Sequence, residues 1–329
     1  MAPLWKNRPF LGLGLGVGLI GATALALRQF RRREREPIPD EISPAIFATR
    51  AAHTSKGQIV YHISGSGEPL VFLHGIFLGA SSYEWSKIYG RFAISHEVVA
   101  PDLIGFGESE RPSATMDPSD HVQSLAEFLQ EICQRRPGTI IASGVTCQIA
   151  LLLAAKHPDL AARLVLFMPS ALRDAAQCHS LGLLGRGPIP AINRFAYRHH
   201  IARPAFIRSW LTRTGFANPA NISAETIAVL STCARQYGAE RAIFGFLKNR
   251  RKFDSTPRLP DVIAPVHVLW PGAARSFNSG EAATLCRSLR QATMRILPEA
   301  SALAPIESPA AISDALSEIL GGELRALSA

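Results

Sequence analysis

The chain has 329 residues, of which 47% are hydrophobic, and a formal net charge of +9 at pH 7. This length is enough to bury a sizeable core in one large domain or two smaller ones. The five cysteines are scattered without a CxxC pair, which argues against a disulfide scaffold or a cysteine metal cluster and predicts reduced, buried thiols.

The positive charge is concentrated in residues 171–260, which carry fourteen Lys and Arg residues against four Asp and Glu residues. No DNA- or RNA-binding motif accompanies this charge, so nucleic acid is not an expected partner. Four basic side chains cluster near the end of the segment: Lys248, Arg250, Arg251 and Lys252. Such a cluster would attract anionic lipid at a membrane surface, whereas a solvated basic face is the simpler interpretation.

Residues 10–27 form an uncharged run that is long enough to cross a bilayer, and we predict a membrane anchor there. Arginines are denser after this run than before it, where Lys6 and Arg8 stand alone. The positive-inside rule therefore predicts a single-pass membrane protein with its domain on the cytoplasmic side. A cleaved signal peptide and an interfacial or disordered tail are the alternatives. Residues 1–9 are then a tail, and residues 28–43, basic and proline-containing, a linker.

Strands alternate with helices from residue 44 onwards. Strands are predicted at residues 46–49, 58–63, 70–73, 98–100, 139–141, 164–167, 264–270 and 294–297, and helices at residues 120–134, after residue 146 and at 309–320. This alternation predicts an α/β protein with a mostly parallel sheet flanked by helices on both faces. Residues 171–260 interrupt the alternation with a segment that is predicted to be helical.

Four motifs follow one another in this part of the chain. They are Leu73-His-Gly-Ile76, Gly79-Ala-Ser-Ser-Tyr-Glu-Trp85, Asp102-Leu-Ile-Gly-Phe-Gly-Glu-Ser109, and the strand–turn–helix from Gly138 to Leu160. The first, third and fourth are similar to the oxyanion motif, the D-x-x-G-x-G-x-S turn and the nucleophile elbow of the α/β-hydrolase-fold superfamily. The second resembles a plant and cyanobacterial branch of that superfamily.

The resemblance implies a division of the chain into a core and a cap. Residues 44–170 and 261–329 would form the α/β-hydrolase core, and residues 171–260 an inserted helical cap that shapes the substrate pocket. By the same resemblance, the backbone N–H groups of an oxyanion hole would come from Ile76 or Phe77 and from Val145.

A serine hydrolase of this superfamily needs a serine at the tip of the elbow. The turn is tight, so the residues two before and two after the tip must be small. Gly144 at the tip meets this condition with Ala142 and Thr146, whereas Ser143 at the tip would place the larger apolar residues Ile141 and Val145 there. The nucleophile position is therefore predicted to hold Gly144, with Ser143 at the end of the strand.

The other two catalytic positions also lack their functional groups. Residues 301–309 are similar to the G-H-x-x-x-x-E-x-P stretch, with Ala302 in the place of the histidine. Residues 270–274 are similar to W-G-x-x-D, with Ala274 in the place of the acid. Asp174 is the one carboxylate near the alternative acid position after the preceding strand. We therefore predict a degenerate triad, with no catalytic residue among the three positions.

No cofactor and no metal site are predicted. The stretch Gly16-Val-Gly18-Leu-Ile-Gly21 matches GxGxxG, but it lies inside the apolar run without a strand–helix context. Adjacent histidines such as His199 and His200 do not converge on one helix face, so a surface location is expected. His267 is expected on the sheet, and His74 is expected to be structural.

These observations predict a membrane-anchored α/β-hydrolase-fold pseudoenzyme that binds a small-molecule ligand or a partner. Two alternatives are open. One is an active hydrolase or lyase that acts on a small apolar ester-like substrate with non-standard residues. The other is a module that binds anionic membrane surfaces through the basic cap.

Overall fold

The computed structural model describes residue 44 and residues 46–169, 194–274 and 279–326, with side chains up to residue 321. Eight strands form one sheet in the order β1-β2-β4-β3-β5-β6-β7-β8. The strands are β1 Ala48–Thr54, β2 Gly57–Ser64, β3 Glu68–Leu73, β4 His96–Pro101, β5 Gly138–Ser143, β6 Ala161–Phe167, β7 Val266–Pro271 and β8 Ala292–Leu297.

Eight α-helices accompany the strands within the described ranges. They are α1 Pro118–Ile132, α2 Thr146–Lys156, α3 Pro204–Trp210, α4 Ala224–Arg235, α5 Ala239–Asn249, α6 Ser279–Ser288, α7 Ala304–Glu307 and α8 Pro309–Ala326. Helix α1 begins at a capping box, in which Asp117 accepts hydrogen bonds from the backbone N–H groups of Ser119 and Asp120. The predicted helices after the β4 turn, after the elbow and at the end of the chain are all present.

The sheet is mostly parallel, which confirms the predicted α/β class. β1 and β2 pair antiparallel, as do β2 and β4, and all other neighbours are parallel. The central strands β3, β5 and β6 are apolar and nearly fully buried, because helices cover both faces of the sheet.

The first strand differs most from the sequence-based prediction. It was predicted at residues 46–49 from its apolar content, but β1 runs from Ala48 to Thr54 and is largely exposed. Pairing with β2 along its whole length, rather than burial, defines this strand. The turn between them is formed by Ser55 and Lys56, and Gly57 follows it with a φ of +138°.

The described residues between β6 and β7, 194–261, are helical and contain α3, α4 and α5. In the parts of the chain that the structure describes, no helix is both long and apolar enough to cross a membrane. The predicted anchor at residues 10–27, together with Asp174 and Cys178, lies outside the described residues.

Candidate ligand-binding site at the elbow

The turn between β5 and α2 places Gly144 at its tip. Gly144 has a φ of +57°, in the left-handed region, and its N–H donates a hydrogen bond to the Phe167 carbonyl at 3.0 Å. A Cβ placed on Gly144 would meet no atom within 4 Å. Ser143 precedes the tip, within the strand, and is 3% exposed. The tip therefore carries no nucleophile and faces open space.

The loop after β3 lies against the start of α2. The Thr146 hydroxyl donates to the His74 carbonyl at 2.7 Å and so joins the two segments. Among the described residues, the backbone N–H groups of Ile76, Phe77 and Val145 donate no hydrogen bond. Unpaired N–H groups beside the N-terminus of a helix favour a negatively charged or carbonyl oxygen.

Beneath this loop lies Glu84, a buried carboxyl group that the sequence analysis did not single out as a site residue. Its Oε2 accepts a hydrogen bond from the Gly75 N–H at 2.6 Å, while Oε1 has no hydrogen-bond partner among the described residues. Burial raises the pKa of Glu84 to about 7, and the Ser143 hydroxyl and the Gly75 N–H oppose this rise. The signal in the sequence is one acidic residue between the buried aromatics Tyr83 and Trp85.

His74 is a structural residue. Its Nδ1–H donates to the Gly75 carbonyl at 2.7 Å, and its Nε2 accepts from the Leu103 N–H at 3.0 Å. Burial lowers the pKa of His74, which favours the neutral ring that these two bonds require. Both ring nitrogens are occupied, so neither is available as a general base.

The three positions predicted for the triad lie at one edge of the sheet, because β5, β7 and β8 are parallel neighbours or near neighbours. Gly144 follows β5, Ala274 follows β7 and Ala302 follows β8, and both alanines are buried. The frame around Ala302 remains ordered by hydrogen bonds. The Leu303 N–H donates to the Gly215 carbonyl at 3.0 Å, and Glu307 accepts from the Ala217 N–H at 2.9 Å.

The helical segment 194–261 closes over this edge of the sheet. Trp210 stacks on Phe77 with ring centroids 5.9 Å apart and an interplanar angle of 23°. Beside this contact lies a cavity of about 10 Å³, lined by Phe77, Arg111 and Tyr197 among others. That volume holds about one water molecule.

Two hydrogen-bond donors on this cavity have no partner among the residues that the structure describes. The Tyr197 hydroxyl and the Arg111 Nε are buried, and neither makes a hydrogen bond with a described residue. Burial also lowers the pKa of the Arg111 guanidinium. Buried polar groups are normally paired. These two donors therefore provide places for an acceptor atom of a ligand or for water. Neither residue was singled out from the sequence.

The remaining predicted residues lie on the surface or in the sheet. Of the basic cluster, Lys248, Arg251 and Lys252 are exposed, and Lys252 Nζ lies 3.4 Å from Asp117 Oδ2. His199 and His200 are exposed. His267 Nδ1 lies 2.8 Å from the Thr293 hydroxyl on the neighbouring strand.

The architecture and the ordered motifs define an α/β-hydrolase-type domain. The chain belongs to the alpha/beta hydrolase family, whose sequence model matches residues 70–315.

The chain is similar to an uncharacterized protein of Mycobacterium tuberculosis (strain ATCC 25618 / H37Rv), at 29% identity over 136 residues, 41% of this chain and 38% of that protein. It is also similar to the 2-hydroxymuconate semialdehyde hydrolase of Pseudomonas sp. (strain CF600), at 34% identity over 106 residues, 32% of this chain and 38% of that protein. Each match thus spans about two fifths of the relative.

Among solved structures, the epoxide hydrolase CorEH without ligand is similar with a TM-score of 0.72 and 20% identity. The alignment covers 84% of this chain and 99% of that chain. At 20% identity, this similarity shows a shared fold only.

Proposed function

We propose that this protein is a non-catalytic, ligand-binding member of the alpha/beta hydrolase family, anchored in a membrane by residues 10–27 with its domain on the cytoplasmic side. One observation carries the proposal: the tip of the elbow is Gly144, in open space and without a hydroxyl. A serine nucleophile also needs a base. The base position holds Ala302 and the acid position Ala274.

The ligand is proposed to be a small molecule with an acceptor oxygen, bound between the sheet edge and the helical segment 194–261. Its carbonyl, carboxylate or phosphate oxygen would accept from the N–H groups of Ile76, Phe77 and Val145, which donate to no described residue. Phe77 and Trp210 would contribute an apolar wall. Apolar walls with a few convergent donors are typical of ligand sites. Because the cavity of about 10 Å³ beside Phe77 holds only a water molecule, a ligand would occupy this place after the Trp210 side chain moves away from Phe77.

A second candidate is an active hydrolase or lyase that uses non-standard residues. The observation in its favour is the buried pair of Ser143 and Glu84, because a carboxyl with a pKa of about 7 is suited to proton transfer at neutral pH. Against it, Ser143 lies at the end of β5 and is nearly inaccessible.

Labelling by a serine-directed fluorophosphonate distinguishes the two candidates. The full chain, purified in a mild detergent, would be incubated with the probe and assayed separately with p-nitrophenyl acetate, with Ser143→Ala as the matched variant. We expect neither labelling nor turnover above that of Ser143→Ala. Labelling that disappears in Ser143→Ala would establish the active enzyme and overturn the non-catalytic proposal.

Ligand binding is tested with benzoate as a carboxylate probe and thermal unfolding as the readout. We expect benzoate to raise the melting temperature of the full chain, and to raise it less in Tyr197→Phe, which removes a donor from the cavity. Tyr237→Phe is the matched control, since Tyr237 lies under the Arg194 and Arg241 side chains and does not line that cavity. Equal shifts in all three proteins would place benzoate elsewhere.

The basic cluster supports an additional role at an anionic membrane surface. Lys248 and Arg251 are exposed, and each basic group near such a surface contributes about 1 kcal/mol. Vesicles with and without phosphatidylserine test this role by co-sedimentation. Replacing Lys248, Arg250, Arg251 and Lys252 with glutamine should reduce binding to the anionic vesicles only. Unchanged sedimentation of that variant with the anionic vesicles would show that the cluster does not bind the membrane surface.

A further inference from the structure

The geometry points to a binding site for a first-row divalent metal ion formed by His62, Asp102 and Glu108. The His62 ring nitrogen and one carboxylate oxygen each from Asp102 and Glu108 lie within 4.8 Å of one another. The site lies between β2 and the turn that follows β4. It is independent of the proposed ligand site at the elbow.

Backbone pairing holds the three residues together. His62 lies in β2 opposite Ala100 of β4, and Asp102 follows β4 directly. The turn then folds back, and the Glu108 N–H donates to Asp102 Oδ2 at 2.7 Å. The three candidate ligands are therefore preorganised by the sheet and by a tight turn, as a metal site requires.

The ring of His62 provides an independent indication of a ligand. His62 is fully buried, and its Nε2 has no hydrogen-bond partner among the described residues. Its Nδ1 lies 3.1 Å from the Thr49 hydroxyl. When Nδ1–H donates to that hydroxyl, Nε2 retains a lone pair that is available to a metal ion. A metal-bound histidine usually has this arrangement, with its other nitrogen fixed by a hydrogen bond.

The charges of the three residues also suit a cation. One imidazole and two acidic side chains together supply the donor atoms and the negative charge that a divalent cation needs. A divalent cation would offset the repulsion between the two carboxylates. Each Asp102 oxygen accepts one backbone N–H, from Ser82 and from Glu108, and retains a free lone pair.

One imidazole and two carboxylates favour Zn²⁺ or Mn²⁺ over Mg²⁺ or Ca²⁺, which prefer oxygen ligands alone. Ligand atoms around such an ion, at about 2.1 Å from it, lie at most about 4.2 Å apart. The three candidate ligand atoms, which lie within 4.8 Å of one another, must therefore move slightly closer together to bind the ion. Glu108 is exposed and can rotate to do so, and it also provides the path of entry from solvent.

Isothermal titration calorimetry, in which ZnCl₂ is added to the metal-stripped full chain, tests the site. The informative variant is Glu108→Gln, which removes one ligand and keeps the backbone N–H that holds Asp102. Its matched control is Glu110→Gln, an exposed carboxylate in the same turn that accepts from the Gln58 N–H at 2.9 Å. His62→Gln removes the imidazole, and MgCl₂ serves as the control ion.

We expect one Zn²⁺ site that is at least about tenfold weaker in Glu108→Gln and unchanged in Glu110→Gln. A folded His62→Gln variant should bind no Zn²⁺ at this site. The comparison of Glu108→Gln with Glu110→Gln tests the proposal even where His62→Gln does not fold. No Zn²⁺ binding to the wild type would overturn the proposal. Equal affinity of the wild type and Glu108→Gln would also overturn it, because the ion would then bind elsewhere, for example at the exposed His199 and His200.

Discussion

Two turns at the same edge of the sheet, the one after β4 and the elbow after β5, each contain a glycine in the left-handed backbone conformation, but for different reasons. In the turn after β4, a Cβ on Gly107 would lie 2.0 Å from Asp102 Oδ2, so the close approach of the carboxylate requires glycine. At the elbow, a Cβ on Gly144 would meet nothing within 4 Å. Packing thus dictates Gly107, whereas only the φ of +57° favours a glycine at position 144.

The two turns also differ in how their polar groups are paired. The Asp102 carboxylate accepts from the Ser82 N–H at 2.6 Å, and the Asp102 carbonyl accepts from the Ser109 hydroxyl at 2.6 Å. Around the elbow, by contrast, the N–H groups of Ile76, Phe77 and Val145 have no partner among the described residues. The β4 turn thus fixes its own carboxylate through backbone donors, whereas the elbow leaves its backbone donors available to a ligand.

The largest expected effect is that of Gly107→Ala. The new methyl group overlaps the buried Asp102 carboxylate and forces the turn to move, so the free energy of unfolding should fall by about 3 kcal/mol or more. Urea denaturation of the full chain measures this loss. Gly144→Ala is the control, with an expected loss of about 1 kcal/mol from backbone strain alone. Similar losses in the two variants would remove the distinction between the turns.

The next effect concerns the carboxyl group behind the elbow. The pKa of Glu84 is raised to about 7 in the folded protein, above the value of 4.5 for an unperturbed group. Its stabilising contribution is therefore fully present below pH 4.5 and is lost as the pH rises through 7. Over this window the loss amounts to roughly 3 kcal/mol.

Glu84→Gln should remove that pH dependence, because glutamine resembles the protonated acid and still accepts from the Gly75 N–H. Unfolding by urea at pH 5 and pH 8 should show the variant gaining stability relative to the wild type at the higher pH. Glu127→Gln, at a half-buried carboxylate whose pKa is lowered, should show no such gain. Parallel pH profiles for the wild type and Glu84→Gln would mean that Glu84 ionises without cost.

A smaller effect distinguishes paired from unpaired hydroxyl groups. The Tyr197 hydroxyl is buried without a partner among the described residues, so Tyr197→Phe should raise the free energy of unfolding of the ligand-free protein by about 1 kcal/mol. The Tyr83 hydroxyl donates to Glu225 Oε1 at 2.7 Å, so Tyr83→Phe should lower it by a similar amount. Thermal unfolding compares the two, and a loss in both would show that Tyr197 has a partner, such as a buried water.

The contrast between the turns also shows what the sequence can predict. Small residues around Gly144 and the apolar run of β3 are local patterns, so the elbow and the central strands follow from them. Glu84 becomes a buried carboxyl only because the loop after β3 folds over it. The grouping of His62 with Asp102 depends on the pairing of β2 with β4, which no local pattern specifies.

The smallest expected effect is the most informative about function. Gly144→Ser places a hydroxyl where the superfamily has its nucleophile, and the open space there limits the cost to about 1 kcal/mol of backbone strain. Without a histidine at position 302, this hydroxyl has no base to activate it. Fluorophosphonate labelling and p-nitrophenyl acetate turnover should therefore remain at the level of the wild type. Labelling of Gly144→Ser would reveal another base within reach, with Glu84 the first candidate. The chain would then have lost only its nucleophile rather than its whole catalytic apparatus.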